Sequence, residues 1–260
     1  VTSREPALRR GVALLAGLVV LAGCAAVPPV ILDVEEPERE APVARSRELA
    51  PHLPAATVFD VAVPAEAHAM FTGTIAEIPD EIAGRMVPTT WREGCPVPLS
   101  DLRYLRLSYV DFDGAARVGE MIVHHDVAED VVTVFRTIFA ERFPIRQMRL
   151  MDVFDGDVHT GLAADNTSGF NCRRMLVGER WSEHAYGRAV DINPRENPYW
   201  HPPSGYVSPP GGADYIERRP TQGLIEADSV VVRAFADVGW TWGGDWTPTL
   251  DWMHFSPSGI

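Results

Sequence analysis

The sequence predicts an α+β fold with an antiparallel sheet, and three observations carry that prediction. Leu102 to Tyr109 and the run "GEMIVH", Gly119 to His124, read as strands on either side of a turn at Asp113-Gly114. The segment "DVAEDVVTVFRTIFAERF" repeats apolar residues at three- and four-residue spacing, as a helix with one buried face does. Short strands mixed with a few helices belong to the α+β class.

Taken in order, "IPDEIAGRM" reads as a short helix with Asp80 near its start. In the long helix the buried face comprises Val127, Val131, Val134, Phe135, Ile138 and Phe139. Asp126 is its expected N-cap, with Glu129 three residues on as in a capping box, and Pro144 follows its end. "IRQMRLM" reads as a further strand, and "GRAVDI" follows later in the chain. A Pro/Gly-rich loop is expected from Asn193 to Pro220, then a helix near Asp228 to Val238 and the terminal run "GWTWGGDWTPTLDWMHFS".

The chain has 260 residues, enough for one sizeable domain and an accessory segment. Hydrophobic residues make up 46% and charged residues 23%, the balance of a folded globular protein. The net charge of -13 argues against a nucleic-acid partner, because no basic stripe would offset phosphate charge.

The N-terminal region reads as a targeting segment. Arg4, Arg9 and Arg10 precede an apolar run from Gly11 to Ala22, too short to span a bilayer comfortably. The run closes on "LAGC", which resembles the lipobox of bacterial lipoproteins, with Cys24 as the acylated residue. An ordinary secretory signal with an incidental cysteine is the alternative. Residues 24–65 are rich in Pro, Ala and Glu and read as a tether, leaving residues 66–260 as the folded domain. With Cys24 lipidated, Cys95 and Cys172 remain as an even pair in an oxidising compartment, which predicts a disulfide; two free buried thiols are the alternative.

The chemistry centres on "SEHAYGRAVDINP". His184 and Asp191 supply two metal-ligand types, and His254 in "DWMHF" supplies a third. A catalytic zinc site needs three such ligands and one open position. Two neutral imidazoles and one carboxylate leave a net charge of about +1, which helps lower the pKa of a bound water. That water still needs a base, and Asp251, three residues before His254, is the candidate. In a flat strand Asp251 and His254 would face opposite ways, so a turn or bulge is expected between them. If "GRAVDI" is extended, Gly187 and Ala189 share the face of Asp191 and leave room for metal and substrate, while Val190 and Ile192 point into the core. Each motif alone has a bland reading: a core histidine with a turn aspartate. His124 and His125 read as surface or capping residues, and His159 and His201 as solvated. The four tryptophans near the C-terminal end read first as packing, with Trp252 a candidate for lining a substrate cleft.

Together the runs "DNTSGFNCR", "SEHAYGRAVDINP", "WGGDW" and "DWMHF" resemble the zinc D-alanyl-D-alanine carboxypeptidases and the related L-alanyl-D-glutamate endopeptidases, the VanY-like peptidoglycan peptidases. Ser182, His184, Gly187, Ala189, Asp191, Asp251 and His254 match that family's pattern in order, and weaker similarity through "GCPV", "DLRYL" and "FPI" extends it to roughly Phe71–Phe255. The resemblance implies a small central antiparallel sheet with helices packed on it and the zinc site on the sheet, as in hedgehog/D-Ala-D-Ala peptidase-like folds. It implies one zinc ion on His184, Asp191 and His254, Asp251 as general base, and Arg173 meeting a substrate oxygen and stabilising the oxyanion. Ser182 would make a supporting or substrate hydrogen bond. The partners implied are peptidoglycan stem peptides and, through Cys24, the outer face of the cell membrane. A catalytically silent cell-wall peptide-binding lipoprotein of the same fold, or a metallohydrolase acting on a non-peptide amide, are the competing readings.

Overall fold

The computed structural model describes residues 70–175 and 179–260. The signal segment, the tether and Cys24 lie outside the described residues.

A long hairpin forms the base of the fold. Strands β2 (Leu102–Val110) and β3 (Ala116–His124) pair antiparallel, and β1 (Gly73–Ala76) adds to the free edge of β2. The hairpin turn follows from its residues. The Asp111 carboxylate accepts from the Asp113 and Ala115 N–H groups and from Arg117 Nε at 2.7 Å, while Gly114 takes φ +81°. Leu105 and Leu107 point inward with the exposed Arg106 between them, as period-two alternation requires.

Helix α1 (Asp80–Met86) packs Ile82 and Met86 against Leu102 and Ile122. Helix α2 (Ala128–Ala140) lays Val131, Val134, Phe135 and Ile138 on the sheet and against α4 (Val230–Asp237). Phe135 is fully buried, and truncating it to alanine would cost about 3–5 kcal/mol. The capping expectation for α2 is corrected. Its N-cap is Val127, with no side-chain cap. The Asp126 carboxylate is drawn elsewhere, to His124 Nδ1 at 2.5 Å and to Arg188. His124 is accordingly buried, not a surface residue, and His125 beside it is exposed.

The expected single central sheet is replaced among the described residues by four small ones. Besides β1-β2-β3 there are β6 (Val190–Asp191), β11 (His254–Ser256) and β9 (Thr241–Trp242) in the order β6-β11-β9. A third sheet has the order β10-β7-β8, built from β10 (Leu250–Asp251), β7 (Tyr199–His201) and β8 (Tyr206–Ser208). The fourth is a parallel pair, β4 (Gln147–Met148) with β5 (Asn166–Thr167), and α3 (Val158–Ala163) lies between them in sequence. The "IRQMRLM" strand is short because the Asn166 side chain occupies both backbone groups of Arg149, accepting from its N–H and donating to its carbonyl at 2.9 Å. The Asn193–Pro220 segment is likewise no plain loop, since it contributes β7 and β8. No helix of the described residues is long and apolar enough to cross a membrane.

Cys95 and Cys172 form a disulfide with Cα atoms 5.9 Å apart, across a sequence separation of 77. It ties the segment after α1 to the irregular run leading into Arg173. Chain entropy over such a loop predicts about 4 kcal/mol of stabilisation. Replacing both cysteines by serine should therefore lower the unfolding free energy in a denaturant titration by several kcal/mol; an unchanged midpoint would contradict this.

A second prediction comes from a buried carboxyl pair. Arg146 stands 3.4 Å from both Asp165 and Glu196, and the Glu196 side chain is only 2% exposed. Burial, then the neighbouring Asp165, pushes the Glu196 carboxyl up to about 7 from its ordinary 4.5. The folded protein therefore holds a proton that the unfolded chain releases. This contribution to stability is complete below about pH 4.5 and is lost as pH rises through about 7. Glu196→Gln removes that slope, so its melting temperature should change less between about pH 5 and 7 than that of the parent; equal slopes would contradict the assignment.

Candidate metal centre

His184 lies in a 3-10 turn, Glu183–Tyr186, that ends on Gly187 in the left-handed region at φ +68°. A Cβ at Gly187 would sit 2.7 Å from the His124 backbone nitrogen, which donates to the Gly187 carbonyl at 2.8 Å. Gly187 is therefore the point where the turn docks on the end of β3. The expectation that it shares a strand face with Asp191 and makes room for the metal is corrected. Ala189, Val190 and Ile192 are fully buried, and the last two belong to the main core.

Strand pairing brings the remaining groups to this turn. In the β6–β11 register His254 lies opposite Asp191, and an isolated bridge pairs Asp191 with Ser168 on its other side. Asp251 closes β10, residues 252 and 253 turn, and His254 opens β11. The turn expected between them is present.

The geometry is that of one donor cluster. Ligand-type atoms of His184, Asp191 and His254 lie within 4.8 Å of one another, and all three residues are buried. His184 Nε2 is 3.1 Å from Asp191 Oδ2, and His254 Nδ1 is 3.1 Å from Asp191 Oδ1. His184 Nδ1 faces the Gly169 carbonyl at 2.6 Å. A carbonyl only accepts, so Nδ1 carries the hydrogen and Nε2 is the nitrogen left facing Asp191. A lone pair against a carboxylate is repulsive, so either a proton or a metal ion belongs between Nε2 and Asp191. His184 Nε2 is a buried atom without a hydrogen-bond partner among the described residues, and so are His254 Nε2 and Asp251 Oδ1. Native interiors rarely leave such atoms unsatisfied. Two imidazoles and a carboxylate held this way fit a divalent ion of the zinc type, and the Gly169 carbonyl supplies the outer partner that orients such a histidine. Gly169 must be glycine here, because a Cβ would stand 2.4 Å from the Ile122 carbonyl oxygen.

The charges follow the same geometry. Burial alone would raise the Asp191 carboxyl, but His184 and then His254 hold it well below the usual carboxylate range. Burial pushes the Asp251 carboxyl up to about 7; Asp191 adds to that push, and His254 and Arg173 oppose it. Burial lowers the Arg173 guanidinium, while Asp191 and Asp251 act the other way. Arg173 donates to the Arg174 carbonyl at 3.3 Å and forms no ion pair among the described residues; Asp191 and Asp251 are the carboxylates whose charge it feels.

A cleft of about 580 Å³ opens over these groups. Arg173, Ser182, His184, Asp191, Asp251 and His254 all line it. Ser182 is buried, and its N–H donates to the Arg173 carbonyl at 3.2 Å, which ties the two together. Trp252 is not part of the cleft lining. It is 6% exposed, stacks on Trp200 at 5.8 Å and lies under the Arg218 guanidinium. The indole at the cleft is Trp246, 5.3 Å from His254 between ring centroids, with Tyr199 and Trp181 as further aromatic lining. "WGGDW" was the sequence signal for Trp246. Tyr199 had none, because only its pairing with Asp251 in β7–β10 brings it to the site.

Residues 177–257 match the family model described as D-alanyl-D-alanine carboxypeptidase. The matched stretch holds His184, Asp191, Asp251 and His254. It begins later than the Phe71 from which the resemblance was traced, and leaves out Arg173 and the disulfide. No curated protein and no solved structure matches the chain.

If the cluster holds a metal, His184→Ala and His254→Ala should each lower zinc affinity by more than about 100-fold, beyond what losing an outer partner of a ligand costs. Competition with a chromophoric chelator measures this, and unchanged affinity in either variant would remove that residue from the ligand set.

Proposed function

We propose that this protein is an extracytoplasmic, lipid-anchored zinc peptidase that cleaves peptidoglycan stem peptides, either as a D-Ala-D-Ala carboxypeptidase or as an L-Ala-D-Glu endopeptidase. The observation that carries the reading is the convergence of His184, Asp191 and His254 on one point, with Asp251 and Arg173 lining the same cleft. The family match over residues 177–257 supports a peptidase of this kind. The Cys95–Cys172 disulfide suits an oxidising compartment, and the "LAGC" run suits acylation of Cys24.

In this reading His184, Asp191 and His254 hold the ion. Zinc, when bound, supplies Lewis acidity to the scissile carbonyl and makes water acidic enough to react near neutral pH. Asp251 takes the proton of the attacking water and passes it to the leaving amine, which needs a carboxyl beside the reacting centre and shielded from bulk solvent. Arg173 faces the carbonyl oxygen as negative charge develops there; a half-buried guanidinium with no carboxylate in contact among the described residues is suited to that task. Ser182 hydrogen-bonds substrate backbone at the cleft wall.

Digestion of purified muropeptides by the full chain, with and without chelator and with product masses identified, tests the reading. Loss of a terminal D-alanine, or scission between L-Ala and D-Glu, is expected, abolished by chelator and restored by zinc. Intact muropeptides under all these conditions would contradict it. Asp251→Asn should retain zinc while kcat falls by about 100- to 10,000-fold; near-parental turnover would remove Asp251 from the chemistry.

A further inference from the structure

The tryptophan-glycine run "WGGDW" is not used by the chemistry above, yet it is built tightly onto it. Residues Gly243–Asp245 form a 3-10 turn that lies against the turn joining Asp251 to His254. A Cβ at Gly243 would stand 2.6 Å from the Asp251 carbonyl oxygen, 3.0 Å from Asp251 Cβ and 3.3 Å from His254 Cβ. A Cβ at Gly244 would stand 2.3–2.5 Å from ring atoms of Trp242. The Trp242 indole N–H in turn donates to the Trp252 carbonyl at 2.8 Å, inside that same Asp251–His254 turn. Two glycines and one buried indole thus clasp the segment that carries both Asp251 and His254, leaving no slack between the two turns.

Trp246 ends this clasp. Its N–H donates to the Gly243 carbonyl at 3.3 Å, its indole packs on the His254 ring at 5.3 Å between centroids, and it lines the cleft. Aromatic contacts at this separation are close packing. A substrate group seated beside His254 therefore lies beside the indole, and the backbone that carries the indole is held by the Gly243–Asp245 turn.

We propose that Trp246 is a specificity-determining residue: its indole, packed on His254 at the end of the Gly243–Asp245 turn, limits the substrate residue bound on that side of the centre to a small side chain such as alanine. This deepens the peptidase reading and rests on it. An indole standing beside the reacting centre discriminates against larger side chains by steric exclusion.

The test uses the zinc-loaded full chain, the free stem pentapeptide L-Ala-γ-D-Glu-L-Lys-D-Ala-D-Ala, and three versions in which one alanine at a time becomes leucine of the same chirality. Both kcat/KM and calorimetric Kd are measured for the parent, Trp246→Phe and Trp246→Ala, with zinc content determined for each. The parent should discriminate against leucine at one position. Trp246→Ala should reduce that discrimination by about 10- to 100-fold while keeping its zinc, with Trp246→Phe between the two. An unchanged ratio in Trp246→Ala, or loss of zinc with the ratio unaltered, would overturn the proposal and leave Trp246 a packing residue. If the peptides bind but none is hydrolysed, the peptidase reading fails while the Kd ratios still decide the role of Trp246. If none binds, both fail.

Discussion

Asp191 faces two imidazoles at once, His184 on one oxygen and His254 on the other, each at 3.1 Å. All three groups are buried, and the Gly169 carbonyl holds His184 with Nε2 turned toward the carboxylate. Burying that carboxylate costs several kcal/mol unless positive charge sits on the imidazoles or between them and it. A bound cation would supply that charge, and the stability of the domain would then be linked to the ion. Much of the surrounding structure can be understood as what holds these atoms at that separation.

Each support is local and has its own cause. The β6–β11 register sets His254 opposite Asp191, and the Ser168 bridge fixes Asp191 from the other side. Gly187 lets the His184 turn dock on β3, and Gly169 lets the Gly169 carbonyl approach beneath Ile122. The disulfide anchors Cys172, next to Arg173, to the segment after α1. Tyr199 reaches the cleft because β7 pairs with β10, so the Pro/Gly-rich stretch after Asn193 is a structural partner of Asp251. The rigid elements are thus distant in sequence and adjacent in space, which is what a preorganised site requires.

Much of this was legible in the sequence because it rests on short-range patterns. The apolar spacing of α2 fixed its buried face, Asp113-Gly114 marked the hairpin, and the three-residue offset of Asp251 and His254 demanded the turn that is found. What escaped was decided by long-range competition. Asp126 had the chemistry of a cap, but His124 and Arg188 claim its carboxylate. "GRAVDI" and "IRQMRLM" have strand composition, yet Gly187 docking and the Asn166 side chain cut them to two residues each. Trp246 and Trp252 are both tryptophans beside the site, and only packing against Trp200 and Arg218 sends Trp252 inward.

The central claim is that His184, Asp191 and His254 share one ion. X-ray absorption at the zinc edge, on the full chain loaded with one equivalent of zinc, addresses it directly. The account predicts a first shell of two imidazole nitrogens and oxygen donors at about 2.0–2.2 Å, losing imidazole scattering in His184→Ala and in His254→Ala. A shell with no imidazole, or one unaltered by either substitution, would contradict it.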